Sequence, residues 1–146
     1  MNVMVVDDNQ EIGQALREQL EDAGHTVIGP IPRVAEALAA IAYYPLDVAI
    51  LDINMGQEGY VTPVADALDD RGIPFVFLTG YSAYYARGMP LGRRFKERLL
   101  VTKPYQQAEL FAALEAAVAA APARPNPALP ENGDTPMTEQ GATPPD

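Results

Sequence analysis

The feature that most constrains this chain is a regular alternation of short apolar runs with segments of helical periodicity. Five apolar runs are predicted to be buried strands, at residues 2–6, 26–29, 48–51, 74–78 and 99–102. The other periodic segments predict helices at residues 9–23, 32–44, 62–71 and 104–121. Strands that alternate with helices predict an α/β fold in which helices cover both faces of a parallel sheet.

One connection departs from this alternation. Between the fourth and fifth predicted strands, Gly88, Pro90 and Gly92 interrupt what should be a helix. Glycine and proline both disfavour helix interiors. We therefore expect a short or loose element over residues 82–98, which opens at low free energy.

Composition excludes several classes of function. The formal net charge of -10 argues against nucleic acid as a partner. The absence of cysteine excludes thiolate chemistry. No apolar run reaches the ~18 residues that a membrane helix needs. We expect a cytoplasmic protein with neither a nucleic-acid nor a membrane partner.

The composition changes sharply after residue 121. Residues 122–146 hold seven of the 14 prolines and few large apolar side chains. Such a segment buries too little surface to offset the entropy of ordering it. We expect one folded domain over residues 1–121 and a disordered, proline-rich, acidic tail over 122–146, with no output domain after it.

Polar side chains stand where four of the predicted strands end. Asp7 and Asp8 follow the first strand, Asp52 the third, Thr79 the fourth and Lys103 the fifth. Each alone could be a helix cap, a turn residue or a solvated charge. The carboxyl ends of parallel strands, however, meet at the edge where open α/β sheets bind ligands. We predict that these residues form one site.

The charges of this set indicate its chemistry. Three carboxylates and one lysine sum to -2 and repel one another unless a divalent cation lies among them. Ligands that are all oxygen favour Mg²⁺, which would let an anionic phosphoryl donor approach. Asp52 could then attack phosphorus to give an aspartyl phosphate. Thr79 could donate a hydrogen bond to one phosphoryl oxygen, and Lys103 could pair with another.

The segments VVDD, LDIN, LTG and TKP carry these residues, and their order and spacing resemble the receiver domain of bacterial response regulators. The resemblance covers about residues 1–121. It implies a flavodoxin-like receiver fold, with a five-stranded parallel sheet of order 2-1-3-4-5, helices on both faces and a weakened fourth helix.

The resemblance also implies a role for each site residue. Asp52 would be the phosphoacceptor, with Thr79 and Lys103 binding the phosphoryl group. Mg²⁺ would be held by Asp8, Asp52 and the backbone carbonyl of Asn54, and by Asp7 through a water. The Lys103–Pro104 peptide bond is expected to be cis, as in the family.

The implied function is that of a single-domain response regulator in a phosphorelay. It would accept a phosphoryl group from a histidine kinase or a phosphotransfer protein. It would then signal through an unknown downstream protein, or act as a phosphate sink. The implied chemistry is limited to phosphoryl transfer onto its own aspartate and slow autodephosphorylation.

The sequence departs from the common receiver pattern in three places. Met55 is followed by Gly56, where the family usually has proline. Leu100 occupies the position of the switch aromatic. The segment PFVFLTGYS at 74–82 matches only part of the F-A-T-G-U-Y motif of a single-domain subgroup, which suggests a donor kinase of the HWE or a related class. The expected switch region consists of Tyr81, Ser82, Tyr84, Tyr85 and Leu100.

Two alternative functions compete with this interpretation. A phosphohydrolase of the haloacid-dehalogenase type also uses an aspartate at a strand end, but it needs a second aspartate two residues later, where this chain has Asn54. A phosphorylation-independent interaction module on the same fold is the other alternative. The complete acid, threonine and lysine set argues against it, because an unused cluster of like charges destabilises a fold.

Overall fold

A computed structural model describes residues 1–53, 55, 61–80 and 100–121 of the chain. Within these residues the elements are β1 (Asn2–Val6), α1 (Gln10–Asp22), β2 (Thr26–Ile31), α2 (Val34–Tyr43), β3 (Val48–Asp52), α3 (Thr62–Asp70), β4 (Phe75–Thr79), β5 (Leu100–Thr102) and α4 (Gln107–Ala120). The strands form one sheet in the order β2-β1-β3-β4-β5, and every neighbouring pair is parallel. The predicted flavodoxin-like sheet order is confirmed.

The strands are buried on both faces because alternate side chains enter different cores. On one face, Met4, Leu51 and Phe77 pack with Ile41 of α2 and Leu68 of α3. All five side chains are at most 2% exposed. This is why the strands read as continuous apolar runs rather than as an alternation of apolar and polar residues.

The opposite face of the sheet carries the second core. Val5, Ile50 and Leu78 pack there with Leu16 of α1 and Leu110 of α4. The helices therefore cover both faces, as predicted. Among the described helices, none combines the length and the apolar character that crossing a membrane would require.

The boundaries predicted for the end of the second strand and the start of the second helix are wrong. The second strand continues to Ile31 instead of ending at Gly29, and α2 begins at Val34, after Pro32. The strand can continue because Gly29 adopts a φ of 119°, and because the amide of Asp7 donates to the carbonyl of Ile31 at 3.1 Å.

The final helix also begins later than predicted, at Gln107 rather than Pro104. The residues before it form the connection from β5, in which the amide of Lys103 donates to the carbonyl of Thr79 at 2.6 Å. Several sequence predictions lie outside the described residues. These are the loose helix at 82–98, the tail at 122–146, Asn54, and the switch residues Tyr81, Ser82, Tyr84 and Tyr85.

Candidate metal and phosphoryl site

Three acidic side chains meet at the carboxyl edge of the sheet. Asp52 is the last residue of β3, and Asp7 and Asp8 directly follow β1, the strand that pairs with β3. One carboxylate oxygen from each of the three lies within 4.8 Å of the other two. Asp7 is 2% exposed and Asp52 is 7% exposed, whereas Asp8 faces solvent. The cluster is thus half embedded in the fold and open on one side.

Asp7 is held in place by hydrogen bonds to both of its carboxylate oxygens. Its Oδ1 accepts from the amide of Asn9 at 2.8 Å, and its Oδ2 accepts from the ammonium of Lys103 at 3.2 Å. Asn9 in turn caps α1, because its side-chain oxygen accepts from the amide of Ile12 at 3.0 Å. The start of α1 and the orientation of Asp7 are therefore fixed together.

Lys103 bridges the two buried acids from the end of β5. Its Nζ lies 3.2 Å from Oδ2 of Asp7 and 3.4 Å from Oδ2 of Asp52. The side chain is only 16% exposed, so the pairing is partly shielded from water. The peptide bond between Lys103 and Pro104 is cis.

Thr79 ends β4 at the same edge and is 1% exposed. In the β3–β4 ladder Asp52 pairs with Leu78, so Thr79 comes one residue beyond the partner of Asp52. In the β4–β5 ladder Thr79 pairs with Thr102, the residue before Lys103. Thr79 therefore lies on the strand between β3, which carries Asp52, and β5, which precedes Lys103.

Burial raises the pKa of Asp52 from its usual value of 3.8 to about 7. Lys103 acts in the opposite direction, while the charge of Asp7 and its hydrogen bond to Asp52 raise the pKa further. Without a cation, the fold thus favours a protonated Asp52 below neutral pH. A bound divalent cation would favour the ionised form, and the three oxygen donors are of the kind that Mg²⁺ prefers. The residues present fit this ion.

The structure brings together Asp7, Asp8, Asp52 and Lys103, and it places Thr79 at the same edge. Leu100, by contrast, starts β5 and packs against the core on the α2 and α3 side. It therefore lies at the opposite end of its strand from Lys103.

Two residues that support the site are absent from the sequence predictions. The first is Asn9, which the local sequence could have indicated, because asparagine directly before a helical segment is a common N-cap. The second is Tyr105, whose hydroxyl donates to Oε1 of Gln19 in α1 at 2.9 Å. Burial and the charge of Asp7 both raise the pKa of Tyr105. The two partners of this bond are 86 residues apart, so no local pattern could have indicated it.

Solved structures resemble this chain in fold. A CheY-like response regulator receiver domain protein from Methanospirillum hungatei JF-1 aligns with a TM-score of 0.69 at 21% identity, over 81% of this chain and 93% of that one. The PhyR response regulator receiver domain from Erythrobacter litoralis aligns with a TM-score of 0.71 at 22% identity, over 85% of this chain and 94% of that one.

Sequence comparison identifies the family. The protein-glutamate methylesterase/protein-glutamine glutaminase 3 of Hahella chejuensis (strain KCTC 2396) is 41% identical over 69 residues. That match spans 47% of this chain but only 18% of the relative, so it concerns a small part of that protein. The family model of the response regulator receiver domain matches residues 3–115. The chain therefore belongs to the response regulator receiver domain family, whose members act in two-component signalling and are phosphorylated on an aspartate.

Proposed function

We propose that Asp52 is the phosphoacceptor of this receiver domain. The observation that carries the proposal is the position of its carboxylate, at the end of a buried strand and within reach of both Asp7 and Lys103. In the transfer, an oxygen of Asp52 forms a bond to phosphorus while the bond between phosphorus and the imidazole nitrogen of a phosphohistidine donor breaks. The electron pair stays on that nitrogen, which then takes up a proton.

Asp8 and Asp52 would hold Mg²⁺ directly, with the backbone carbonyl of Asn54 as a further ligand and Asp7 acting through a water. When bound, the ion supplies positive charge that offsets the acids and the incoming phosphoryl oxygens. The pKa of Asp52 supports this assignment, because a carboxyl group with a pKa of about 7 is still partly protonated at neutral pH, and a nearby cation would favour the ionised form that acts as the nucleophile.

Lys103 and Thr79 would bind the phosphoryl group after transfer. Lys103 already contacts Oδ2 of Asp52, so a small movement of its ammonium could bring it to an oxygen of a phosphoryl group attached to that side chain. Thr79 is held at the neighbouring strand end, where a hydroxyl can donate a hydrogen bond. Apart from transfer onto its own aspartate and slow loss of that phosphoryl group, the proposal assigns the chain no enzymatic activity.

The donor would be a histidine kinase or a phosphotransfer protein. The partial motif formed by Phe77, Thr79 and Gly80 supports the narrower proposal of a kinase of the HWE or a related class. The phosphorylated form would act on a downstream protein, or drain phosphate from the kinase.

The test is to mix the protein with autophosphorylated histidine kinases of several classes and phosphotransfer proteins, and to follow the label. The proposal predicts Mg²⁺-dependent transfer to the native chain, fastest from an HWE-class donor, and none to Asp52→Asn. Asp22→Asn changes an exposed acid at the end of α1 and should accept label normally. A folded native protein that takes no label from any kinase, phosphotransfer protein or small phosphodonor would contradict the proposal.

A further inference from the structure

A groove of about 600 Å³ lies between the edge strand β2 and helix α2. Pro30 and Pro32 line one side, and Glu36, Ala39 and Tyr43 line the other. The three α2 residues are spaced at i, i+3 and i+7, so they share one face of the helix. We call this feature the β2–α2 groove. Its tyrosine end lies at the end of α2 just before β3, at the opposite edge of the sheet from Asp52.

Two exposed tyrosines form one end of the groove. Tyr43 is 79% exposed and Tyr44 is 43% exposed. Their rings meet edge to face with centroids 4.8 Å apart. Proline-rich segments in the polyproline II conformation bind to grooves lined by aromatic side chains. A tyrosine pair beside a small-residue floor at Ala39 is a surface of this kind.

Glu36 supplies a charge at the other end. It lies in the first turn of α2 and is exposed, and no ion pair of Glu36 occurs within the part of the chain that the structure describes. Tyr43 comes seven positions later in the same helix, which is roughly 10 Å along the axis. A ligand that matches both features needs a cation and a proline at about this separation.

The chain itself contains such a segment. Residues 124–130 lie outside the described residues, and their sequence is RPNPALP. Arg124, Pro127 and Pro130 recur at intervals of three, which is the number of residues per turn in polyproline II. In that conformation the three side chains would share one face, with Arg124 and Pro127 about 9 Å apart. This separation matches that between Glu36 and Tyr43.

We propose that the β2–α2 groove binds residues 124–130 of a second copy of this chain. Arg124 would pair with Glu36, and Pro127 would pack against Tyr43 and Tyr44. The groove lies beside the edge strand β2, which β1 separates from β3 and Asp52, and its lining residues differ from those of the phosphoryl site, so we expect the binding to be independent of the phosphoryl chemistry.

A chain cannot readily place this segment in its own groove. Helices α2 and α4 pack on opposite faces of the sheet, so their axes are about 20 Å apart. Only three residues lead from Ala121, at the end of α4, to Arg124, and they span at most about 10 Å. The segment of a second copy has no such limit.

The test uses the full-length chain labelled with ¹⁵N. Amide shifts of Ala39, Tyr43 and Tyr44 are followed as the concentration rises from about 50 μM to about 1 mM, a range suited to weak association. We expect progressive shifts in these amides. Glu36→Arg and Arg124→Glu should each weaken the association about tenfold, because each places like charges opposite one another.

Mixing the two variants distinguishes a second copy from the chain's own segment. With only the Glu36→Arg chain labelled, adding unlabelled Arg124→Glu chain should restore the groove shifts, because the reversed groove then meets a reversed segment. Glu109→Arg makes the same change in the first turn of α4 and should leave the association unchanged. Groove amides that do not respond to concentration would overturn the proposal. Amide shifts that are unchanged by both charge reversals would also overturn it. So would a result in which the groove shifts return only when one chain carries both substitutions, and not when the two single variants are mixed.

Discussion

The ammonium group of Lys103 lies 3.4 Å from Oδ2 of Asp52, a residue 51 positions earlier in the sequence. The same ammonium also contacts Asp7, so one positive charge serves two buried acids. This arrangement explains why the pKa of Asp52 is held near neutrality rather than higher, because Lys103 opposes the effects of burial and of Asp7.

Removing the shared charge should destabilise the metal-free protein. Lys103→Gln leaves Asp7 and Asp52 close together without their counter-charge, so we expect the free energy of unfolding at pH 8 in EDTA to fall by about 1–3 kcal/mol. Urea denaturation measures this change. Glu21→Gln breaks the exposed ion pair with Arg17, and we expect it to cost less than about 0.5 kcal/mol. If both variants lost the same free energy of unfolding, the contacts of Lys103 with Asp7 and Asp52 would contribute no more to stability than an exposed ion pair does.

The free energy of unfolding of the metal-free protein should fall as the pH rises from about 4 to about 7. The folded state keeps a proton on Asp52 up to a pKa of about 7, whereas an unfolded chain releases it near 3.8. Between these values the folded state binds more protons than the unfolded state, so raising the pH favours unfolding. Asp52→Asn should remove this part of the pH dependence in EDTA. Parallel stability curves for the native protein and Asp52→Asn would contradict the raised pKa.

Millimolar Mg²⁺ should raise the melting temperature, because the ion binds only where the fold brings Asp7, Asp8 and Asp52 together. Asp8→Ala should abolish this rise and, by removing one like charge, increase the metal-free melting temperature. Asp22→Ala removes an exposed acid outside the cluster and should keep the response. Identical melting of the native protein in EDTA and in Mg²⁺ would mean that the cluster does not bind the ion.

The bond from Tyr105 to Gln19 should stabilise the connection that follows Lys103. Tyr105→Phe removes only the hydroxyl and should lower the free energy of unfolding by about 1 kcal/mol. Gln19→Leu should cost a similar amount, and the double variant should lose little more than either single one. The matched control is Tyr43→Phe, since Tyr43 is largely exposed. Fully additive losses in the double variant would show that the two side chains do not stabilise each other.

Much of the fold could be predicted because its strands are buried on both faces and read as uninterrupted apolar runs. The polar residues at the strand ends were predictable for a related reason, since parallel strands bring Asp7, Asp52 and Lys103 to one edge whatever the details of packing. The family resemblance then suggested the role of each residue.

The remaining features depend on contacts between distant residues. The extension of β2 through Gly29 requires a hydrogen bond from Asp7, and the late start of α4 reflects contacts that the connection makes with β4 and α1. Proline at position 104 gave a misleading signal, because it is compatible both with a helix start and with a connection. The strong shift in the pKa of Asp52 likewise depends on burial that the local sequence does not specify.

The most direct test of the account is to locate the phosphoryl group itself. The native chain is treated with Mg²⁺ and a small phosphodonor such as acetyl phosphate, the acyl phosphate is reduced with borohydride, and the modified residue is identified by peptide mass spectrometry. The account predicts modification at Asp52 alone, none when Mg²⁺ is withheld, and none in Asp52→Asn. Modification at Asp7 or Asp8, or undiminished modification of Asp52→Asn, would contradict it.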